Sequence, residues 1–391
     1  MKRFLSDVSL AAVVAGFVAV LVGYTSSVVI VFAAAQALGA TAAQTSSWMW
    51  ALGIGMGLTT IGLSLWTRQP VLTAWSTPGA ALLAGTSGVA MGEAVGAFVV
   101  CGLLIVVAGA TRAFERVMDR IAQAIAAALL AGVLARFTLD AAGATTTAPL
   151  LVIVMALAFV AGRRWWPRYA VPAVLLVGVA IASMQGRMQW GRVVLEAAGP
   201  VWTAPVFSLG ALIGVALPLF VVTMASQNLP GVAAQRAAGY ATPVSASVTV
   251  TGAATVLLAP FGGYAFNLAA ITAAICMGRE AHEDPGKRYT AAVMAGLFYL
   301  AIGLAGGAVV GLLQAFPREL VLAVAGLALL STIAGGLASA LKEERHRDAA
   351  ILTFLVTLSG LTLAGVGSAF WGVVAGTAAL LVQHGRPGGN R

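Results

Sequence analysis

The sequence predicts an all-α polytopic membrane protein with about fourteen transmembrane segments, arranged as two inverted repeats of seven. Three observations predict this fold class. Only 9% of the 391 residues are charged and 60% are hydrophobic, whereas a soluble domain carries about 25% charged residues. The apolar runs have the length of membrane-spanning helices and lack the two-residue alternation of barrel strands. Two runs are too short to span, and each takes the third place within its half of seven.

Fourteen apolar segments follow one another along the chain, and each is expected to form a helix. Their ranges are 8–32, 47–66, 70–84, 90–110, 121–139, 148–162, 169–184, 206–227, 243–259, 261–277, 289–313, 318–340, 348–364 and 366–383. An amphipathic stretch, 185–205, ends the first repeat (1–205) and is expected to lie along the outer surface. The second repeat takes residues 206–391. Because each repeat holds an odd number of segments, the second inserts upside down relative to the first.

The distribution of Lys and Arg predicts how these segments are oriented. With the N-terminus on the cytoplasmic side, only four of the 22 basic residues fall in outer segments, namely Arg136, Arg187, Arg192 and Arg318. The others lie in cytoplasmic loops and tails, as the positive-inside rule requires. Both termini are therefore expected in the cytoplasm, and the net charge of +9 requires no nucleic-acid partner.

The third segment, 70–84, contains an extended piece followed by a helix start. Residues 71–75 include several of high β-propensity. Thr77 is expected to cap a helix whose first residue is Pro78, because this pair is a strong start signal. A half-helix that starts inside the membrane points free N–H groups into the protein interior.

The tenth segment, 261–277, repeats this layout in the second half. Gly262–Phe266 is expected to be extended, and Asn267 to cap a helix from Leu268 onward. Two half-helix starts that meet near the membrane midplane would form an anion-binding site. The alternative for each segment alone is an ordinary loop with a short re-entrant helix, but their matching places favour the site.

The eighth segment carries a dense polar cluster inside an apolar run. Ser226, Gln227 and Asn228 stand side by side, and Pro230-Gly231 is expected to end the helix directly after them. A buried amide without a partner costs a few kcal/mol. The cluster therefore indicates either a hydrophilic site or hydrogen bonding between helices, and the residues alone leave both interpretations open.

Several function classes are disfavoured by the residues present. Cys101 and Cys276 lie in apolar runs and the three histidines in loops or the tail, so no metal site is expected. We find no nucleotide-binding loop, catalytic triad or paired carboxylates in the sequence, so we expect neither an enzyme nor a cofactor. A passive channel would show a continuous polar stripe, whereas polarity here clusters at breaks in the helices.

The chain resembles the bacterial benzoate/proton symporter family in three stretches, Thr223–Gly231, Pro70–Gly79 and Gly262–Asn267. The resemblance covers nearly the full length of the chain. It implies uptake of benzoate with a proton across the bacterial inner membrane. It also implies the fold of a wider group that includes nucleobase and sulfate transporters. In that fold short strands break the third and tenth helices, and a core domain (segments 1–4 and 8–11) moves against a gate domain (segments 5–7 and 12–14). Gate helices of such folds often dimerise, so a homodimer is one expected assembly.

One departure from the wider group concerns the proton. Nucleobase/proton symporters carry acidic residues on the eighth and tenth helices, and the matching positions here are the neutral Gln227 and Asn267. This fits an anionic substrate, which a fixed carboxylate would repel. The proton would travel either on the substrate as the neutral acid or through an edge carboxylate such as Glu93, and the sequence favours neither route.

The site hypothesis draws on segments 1, 3, 8 and 10. The residues expected to bind the carboxylate, through backbone N–H groups or polar side chains, are Thr25, Ser26, Ser76, Thr77, Gly79, Gln227, Asn228 and Asn267. Tyr264 and Phe266 are the first choices for an aromatic wall, and Tyr24 and Trp75 the second. The alternative function is a permease of the same fold for another anion or a nucleobase, with a passive channel less favoured.

Overall fold

A computed structural model of the chain describes residues 2–84, 86, 88–166, 170–189, 198–305, 315–363 and 366–384. It is mostly helical. In chain order the helices are α1 Lys2–Asp7, α2 Leu10–Ala37, α3 Ala42–Thr67, α4 Thr77–Ala84, α5 Met91–Ala110, α6 Ala113–Met118, α7 Gln123–Gly143, α8 Pro149–Trp165, α9 Ala170–Met184, α10 Leu209–Ala237, α11 Val244–Leu258, α12 Ile271–Met277, α13 Tyr289–Ala305, α14 Arg318–Ala340, α15 Arg347–Ser359 and α16 Ser368–His384. The described strands are β1 Thr73–Ala74, β2 Asn267–Leu268, β3 Thr362–Leu363 and β4 Val366–Gly367.

Seven of the described helical stretches are long and apolar enough to cross a membrane: Ala42–Thr67, Met91–Ala110, Gln123–Thr146, Leu209–Ala237, Val244–Phe261, Pro285–Ala305 and Arg318–Ala340. Shorter apolar helices run over Leu10–Tyr24, Ala173–Met184 and Phe370–Gln383. The protein is thus a mostly helical membrane protein. A described helix overlaps each of the fourteen apolar segments. Parts of the predicted segments and of the amphipathic stretch lie outside the described residues, namely 169, 190–197, 306–313 and 364.

The helices pack in two groups. In the first group, α5 packs against α11, α3 and α2 pack against α13, α2 contacts both short helices α4 and α12, and α10 contacts α4 and α5. In the second group, α7 packs against α14 and α15, α15 against α16, and α8 against α9. The groups meet where α7 contacts the last turns of α10 and where α14 contacts α2. Small residues allow close approach within the first group: a Cβ added to Gly53 of α3 would lie 2.6 Å from the Cα of Gly303 in α13.

The strands β1 and β2 come from the third and tenth segments and pair with each other. They are antiparallel, with Thr73 opposite Leu268 and Ala74 opposite Asn267. Each strand leads within a few residues into a short helix, α4 after β1 and α12 after β2. The pairing therefore brings the starts of the two short helices together, although they lie almost 200 residues apart in the sequence.

The predicted start of α4 is wrong by one residue. The N-cap is Ser76 rather than Thr77, because the Ser76 Oγ accepts the N–H of Gly79 at 3.1 Å. The carbonyl of Ser76 also accepts the N–H of Ala80 at 2.8 Å. Pro78 is consequently the second helical residue, which still needs no N–H for helical bonding.

The predicted start of α12 is wrong for a different reason. Asn267 belongs to β2, and the helix begins only at Ile271. The side chain of Asn267 turns back, and its Nδ2 donates to the carbonyl of Ala265 at 3.0 Å. Asn267 therefore pairs with Ala74 in the strand ladder instead of capping the helix.

Helix α10 does not end at Pro230-Gly231, as predicted, but continues to Ala237. A five-residue π-helical turn at Met224–Asn228 lies directly before the proline. Proline lacks an N–H and leaves a carbonyl one turn earlier without its usual donor. The π-turn changes the hydrogen-bond register there, so the helix continues through the proline. Gly231 allows β2 to lie against the helix, since an added Cβ would be 2.6 Å from the carbonyl oxygen of Leu268.

Candidate functional site

A cavity of about 350 Å³ lies among α2, α10, α13 and the two strand–helix segments. Its wall comes mainly from the first group of helices, and Val133 of α7 contributes from the second. No charged side chain lines it within the described ranges. The volume suits a small-molecule site, and such sites are mostly apolar with a few placed polar groups.

The starts of both short helices border this cavity. Thr77 and Pro78 of α4 line one part of the wall, and Ala270 and Ile271 at the start of α12 line another. The N–H groups of a helix's first turn have no acceptor within the helix, and they carry partial positive charge. In α4, Pro78 has no N–H and that of Gly79 is bonded to Ser76, so the N–H of Thr77 and the first-turn N–H groups of α12 are the ones at the border of this uncharged cavity.

The polar cluster of α10 is divided between the cavity and the protein interior. Ser226 and Gln227 line the cavity from the π-helical turn. Asn228 is fully buried and does not line it, because its Oδ1 accepts the backbone N–H of Leu268 at 2.9 Å. The two interpretations of this cluster thus apply to different members: Gln227 borders the cavity, whereas Asn228 bonds the protein backbone.

Three aromatic side chains, those of Tyr24, Trp75 and Tyr299, contribute to the wall of the cavity. The rings of Tyr24 and Trp75 meet edge to face with centroids 4.7 Å apart, and those of Tyr24 and Tyr299 lie 6.0 Å apart. The indole N–H of Trp75 donates to the Oγ of Ser27 at 3.0 Å, which holds the ring in place. The three rings together give the cavity an aromatic wall.

The hydroxyl of Tyr24 has no hydrogen-bond partner among the described residues, although the side chain is only 1% exposed. A buried hydroxyl without a partner costs free energy, because it gave up water on folding. The residue that carries this unsatisfied hydroxyl lines the uncharged cavity.

The aromatic residues ranked first from the sequence lie elsewhere. Tyr264 is fully buried against Trp48 and Phe98, with ring centroids 5.6 and 5.8 Å away. Phe266 is also fully buried and does not line the cavity. The backbone of Ala265 has a φ of 41°, so the chain turns just before β2 and both rings pack in the core.

Of the other predicted residues in the short segments, Thr77 lines the cavity, whereas Ser76, Gly79 and Asn267 do not. Ser76 and Gly79 are buried at the start of α4, where Ser76 acts as the cap. Asn267 is fully buried within β2. Thr77 is the member of this set whose side chain borders the cavity.

The remaining predicted residues lie on α2 and α5. The backbone of Thr25 and Ser26 belongs to α2, but their side chains are outside the described part of the structure. Glu93 lies in the first turn of α5, where its Oε2 accepts the N–H of Ala90 at 3.1 Å. It does not line the cavity.

Sequence reasoning missed several lining residues, among them Tyr299, Thr272, Met56 and Val133. Each is a single residue within an apolar helix. A single tyrosine or methionine in such a helix indicates ordinary packing, so no sequence signal separates these residues from the core.

A second cavity, of about 670 Å³, lies between the α6–α7 region and the loop that joins α10 to α11. Its lining includes Glu115 and Arg236. Arg236 donates to the Asp119 carboxylate at 2.6 Å and to the Met118 carbonyl at 2.7 Å, and Glu115 accepts the hydroxyl of Ser245. Because these charged groups are already bonded within the protein, this cavity is the weaker candidate for an anionic ligand.

A metal centre finds no support in the described ranges. They contain no group of three or more His, Cys, Asp or Glu side chains able to hold a metal ion. Cys101 and Cys276 are both buried free thiols.

Comparisons with known proteins identify a family, two curated relatives and a solved structure of similar fold. A family model described as BenE: Benzoate membrane transport protein matches residues 6–382. Inner membrane protein YdcO of Escherichia coli (strain K12) is 50% identical over 371 residues, which cover 95% of either chain. The Benzoate membrane transport protein of Acinetobacter baylyi is 40% identical over 383 residues, 98% of this chain and 97% of that one. A solved structure titled "The overall structure of SLC26A9" shares the fold with a TM-score of 0.51 at 12% identity, covering 96% of this chain and 65% of that chain.

Proposed function

Because the chain belongs to the benzoate membrane transport family and is a transport protein rather than an enzyme, we propose that it imports benzoate or a related aromatic monocarboxylate. It takes up the acid together with a proton, by alternating access, across the bacterial inner membrane. The observation that carries this proposal is the cavity between the starts of α4 and α12, which combines aromatic rings with uncharged hydrogen-bond donors.

The acid group of the substrate binds where the two short helices start. Donors come from the free first-turn N–H groups of α12 and from the N–H of Thr77 in α4, because Pro78 has no N–H and that of Gly79 is bonded to Ser76. The amide of Gln227 adds a donor from α10, and the hydroxyl of Tyr24 adds one from α2. Since the Tyr24 hydroxyl has no partner in the described chain, an oxygen of the acid removes the cost of its burial.

The ring of the substrate packs against Tyr24, Trp75 and Tyr299. Aromatic pairs contribute about 0.5–1.5 kcal/mol beyond the burial of apolar area. The rings of Tyr264 and Phe266, which the sequence favours for this wall, pack in the core instead. The wall favours an aromatic acid over an aliphatic one, without selecting one aromatic acid.

The proton crosses on the substrate, as the neutral acid. The described wall of the cavity carries no charged side chain, so a bound carboxylate would have no cation to offset the loss of water. Glu93 already accepts a backbone N–H at the start of α5, away from the cavity.

A Glu93→Gln variant should therefore still accumulate substrate against its gradient, and failure to do so would restore Glu93 as the proton carrier.

The architecture proposed for this transport is the one the sequence predicts. Fourteen segments form a seven-plus-seven inverted repeat with both termini in the cytoplasm, and the core and gate domains correspond to the first and second helix groups. Two observations support it: the short segments take the third and tenth places and pair through β1 and β2, and the helices pack in two groups. Alternating access then moves one group against the other around the cavity.

The experiment that tests this function is uptake of labelled benzoate into proteoliposomes under an imposed inward proton gradient. Accumulation that collapses when a protonophore is added would support coupled symport. Equilibration without accumulation would indicate a facilitated carrier. Protein-free liposomes control for passive entry of the neutral acid, which crosses lipid unaided.

A permease for another anion or a nucleobase is the competing function. Thermal stabilisation of the purified chain separates the two cheaply, because a ligand that binds only the folded state raises the midpoint of unfolding. Benzoate should stabilise the chain, whereas nucleobases should not, since the described part of the cavity wall has no carboxylate to pair with their N–H groups. Stabilisation by nucleobases or inorganic anions alone would overturn the proposal.

A further inference from the structure

The two-residue ladder between β1 and β2 exposes one N–H group on each outer edge. In antiparallel strands, opposed residues alternate between exchanging ladder hydrogen bonds and pointing their N–H groups outward. The N–H of Ala269 donates to the carbonyl of Leu72 at 3.0 Å, so Ala269 and Leu72 form a bonded pair. The next opposed pair, Thr73 and Leu268, is therefore the pair whose N–H groups point outward.

Each outward N–H group meets one side-chain oxygen from a neighbouring helix. The N–H of Leu268 donates to the Oδ1 of Asn228 on α10 at 2.9 Å. The N–H of Thr73 donates to the Oγ1 of Thr60 on α3 at 3.0 Å. Both acceptor side chains have zero exposure. Loss of either acceptor would leave a buried backbone N–H without a partner, which natural structures avoid.

This ladder sets the spacing between the two helix starts. Residues that line the cavity follow the strands at once: Trp75 and Thr77 after β1, and Ala269 and Ala270 after β2. A ladder of two short strands is not stable by itself, so its geometry depends on the groups that hold its edges. Binding groups must stay within about 0.5 Å of their productive position to function.

We propose that Asn228 and Thr60 are positioning residues of the substrate site. Neither lines the cavity; each holds one strand of the ladder and acts on the ligand only through the helix start that follows. The neighbours Gln227 and Asn228 thus have different roles, one in contact with the ligand and one in holding β2. The inference rests on the proposed function only in that the ligand binds between the two helix starts.

The first test measures the affinity of the full-length purified chain for benzoate by titration calorimetry. Thr60→Val keeps the shape and removes the acceptor for β1, whereas Thr60→Ser keeps that acceptor. Asn228→Leu on α10 removes the acceptor for β2. We expect Thr60→Val and Asn228→Leu to weaken binding about tenfold each, and Thr60→Ser to stay near wild type. Thr353→Val is the matched control, because among the described residues the hydrogen bond of that buried hydroxyl goes to the carbonyl of Ala349 in its own helix.

A double-variant cycle separates positioning from ligand contact. Because Thr60 and Asn228 act through one ladder, the Thr60→Val, Asn228→Leu double variant should bind benzoate with about the affinity of whichever single variant binds less tightly. Combining Thr60→Val with Gln227→Leu should instead multiply the two losses, since Gln227 acts on the ligand directly. Multiplication of the Thr60→Val and Asn228→Leu losses would overturn the shared role.

Amide hydrogen exchange measures the stability of the β1–β2 ladder in the ligand-free chain. Thr60→Val and Asn228→Leu should each reduce protection of the Ala269 amide, and Thr353→Val should not. Reduced affinity with unchanged exchange would overturn positioning, because the residue would then act on the ligand by contact. If the wild-type chain binds no benzoate, the proposed function fails, but the exchange result still shows whether Asn228 and Thr60 hold the ladder. If Asn228→Leu does not fold, affinity and exchange are compared between Thr60→Val and Thr60→Ser instead.

Discussion

Tyr24 and Tyr264 are both buried and both carry a hydroxyl without a partner in the described chain, but only Tyr24 borders the cavity. Tyr24→Phe should leave the free energy of unfolding of the ligand-free protein unchanged or raise it by up to about 1 kcal/mol, because an unsatisfied polar group is removed. The same variant should weaken benzoate binding roughly tenfold through the loss of one hydrogen bond to the acid group. Thermal unfolding and calorimetric titration measure the two effects.

Tyr264→Phe is the matched control for this prediction. It should have the same effect on stability and none on affinity. Equal affinity losses in the two variants would mean that the Tyr24 hydroxyl does not contact the ligand.

Trp75 is the residue where selectivity for an aromatic ring can be measured. Its ring is held by the bond to Ser27 and lies edge to face with Tyr24. Trp75→Leu should lower the preference for benzoate over cyclohexanecarboxylate by about 2- to 13-fold, because an aromatic pair contributes about 0.5–1.5 kcal/mol beyond burial. Competition of each acid against labelled benzoate uptake gives this ratio. An unchanged ratio would place the substrate ring elsewhere.

Individual residues of the site were harder to predict than their neighbourhood. Tyr264 and Phe266 stand beside β2 in the sequence, but the turn at Ala265 directs their rings into the core. Tyr299 lies in an apolar helix, where a lone aromatic residue indicates packing. The sequence does identify Gln227 and Thr77 at the cavity, because a polar side chain within an apolar run requires an explanation, whereas an aromatic one does not.

At the scale of elements, the contact between α10 and β2 depends on Gly231. A Cβ at this position would lie 2.6 Å from the carbonyl oxygen and 2.9 Å from the carbonyl carbon of Leu268. Backbone cannot move aside as a side chain can, so Gly231→Ala should destabilise the protein by about 1–3 kcal/mol and displace the start of α12. Thermal unfolding with and without benzoate measures both effects.

Gly214→Ala on the same helix is the control for Gly231→Ala. A Cβ at Gly214 would meet no atom within 4 Å, so only the difference in helix propensity acts, which favours alanine by up to about 1 kcal/mol. Equal behaviour of the two variants would show that β2 does not press on α10 as closely as the structure has it.

The strand–helix segments show how far an element can be predicted from sequence. The short apolar runs at 70–84 and 261–277 do contain short strands and short helices, because chain breaks and apolar length are local properties. The helix starts were misplaced because their caps depend on distant partners. Asn267 pairs with Ala74 in the ladder, a contact that no local pattern contains. Helix α10 likewise continues through Pro230, because a π-turn provides an alternative that a proline rule omits.

At the scale of the whole molecule, one ion pair links the two helix groups near a buried carboxylate. Arg163 of α8 donates to the carboxylate of Glu280, which follows α12, at 2.9 Å, and the Glu280 side chain is only 8% exposed. Glu280 also lies beside Val171 of α9 and Ala328 of α14, both of the second group. If alternating access moves one group against the other, this contact must shear in each transport cycle.

Locking that contact should therefore stop transport without preventing binding. An Arg163→Cys, Glu280→Cys double variant, joined by a cleavable bifunctional thiol reagent, should lose benzoate uptake and regain it when the linker is cut. The linked variant should bind benzoate with nearly the affinity of the same variant before linking, because neither residue lines the cavity. Cys101 and Cys276 are replaced by alanine in this background, because position 280 is itself largely buried and burial alone would not distinguish the native thiols from the introduced one.

The matched control for the locked variant is an ion pair inside the first group. Arg68 and Asp7 lie 3.8 Å apart, and Asp7 also accepts the hydroxyl of Tyr289 in α13 at 2.8 Å, so both belong to the same packed unit. Linking Arg68→Cys to Asp7→Cys should leave uptake intact, because no relative motion is required between them. Full uptake by the linked Arg163→Cys, Glu280→Cys chain would show that the two groups do not move against each other at this boundary. The cavity would then have to open by local movement of α4 and α12 instead.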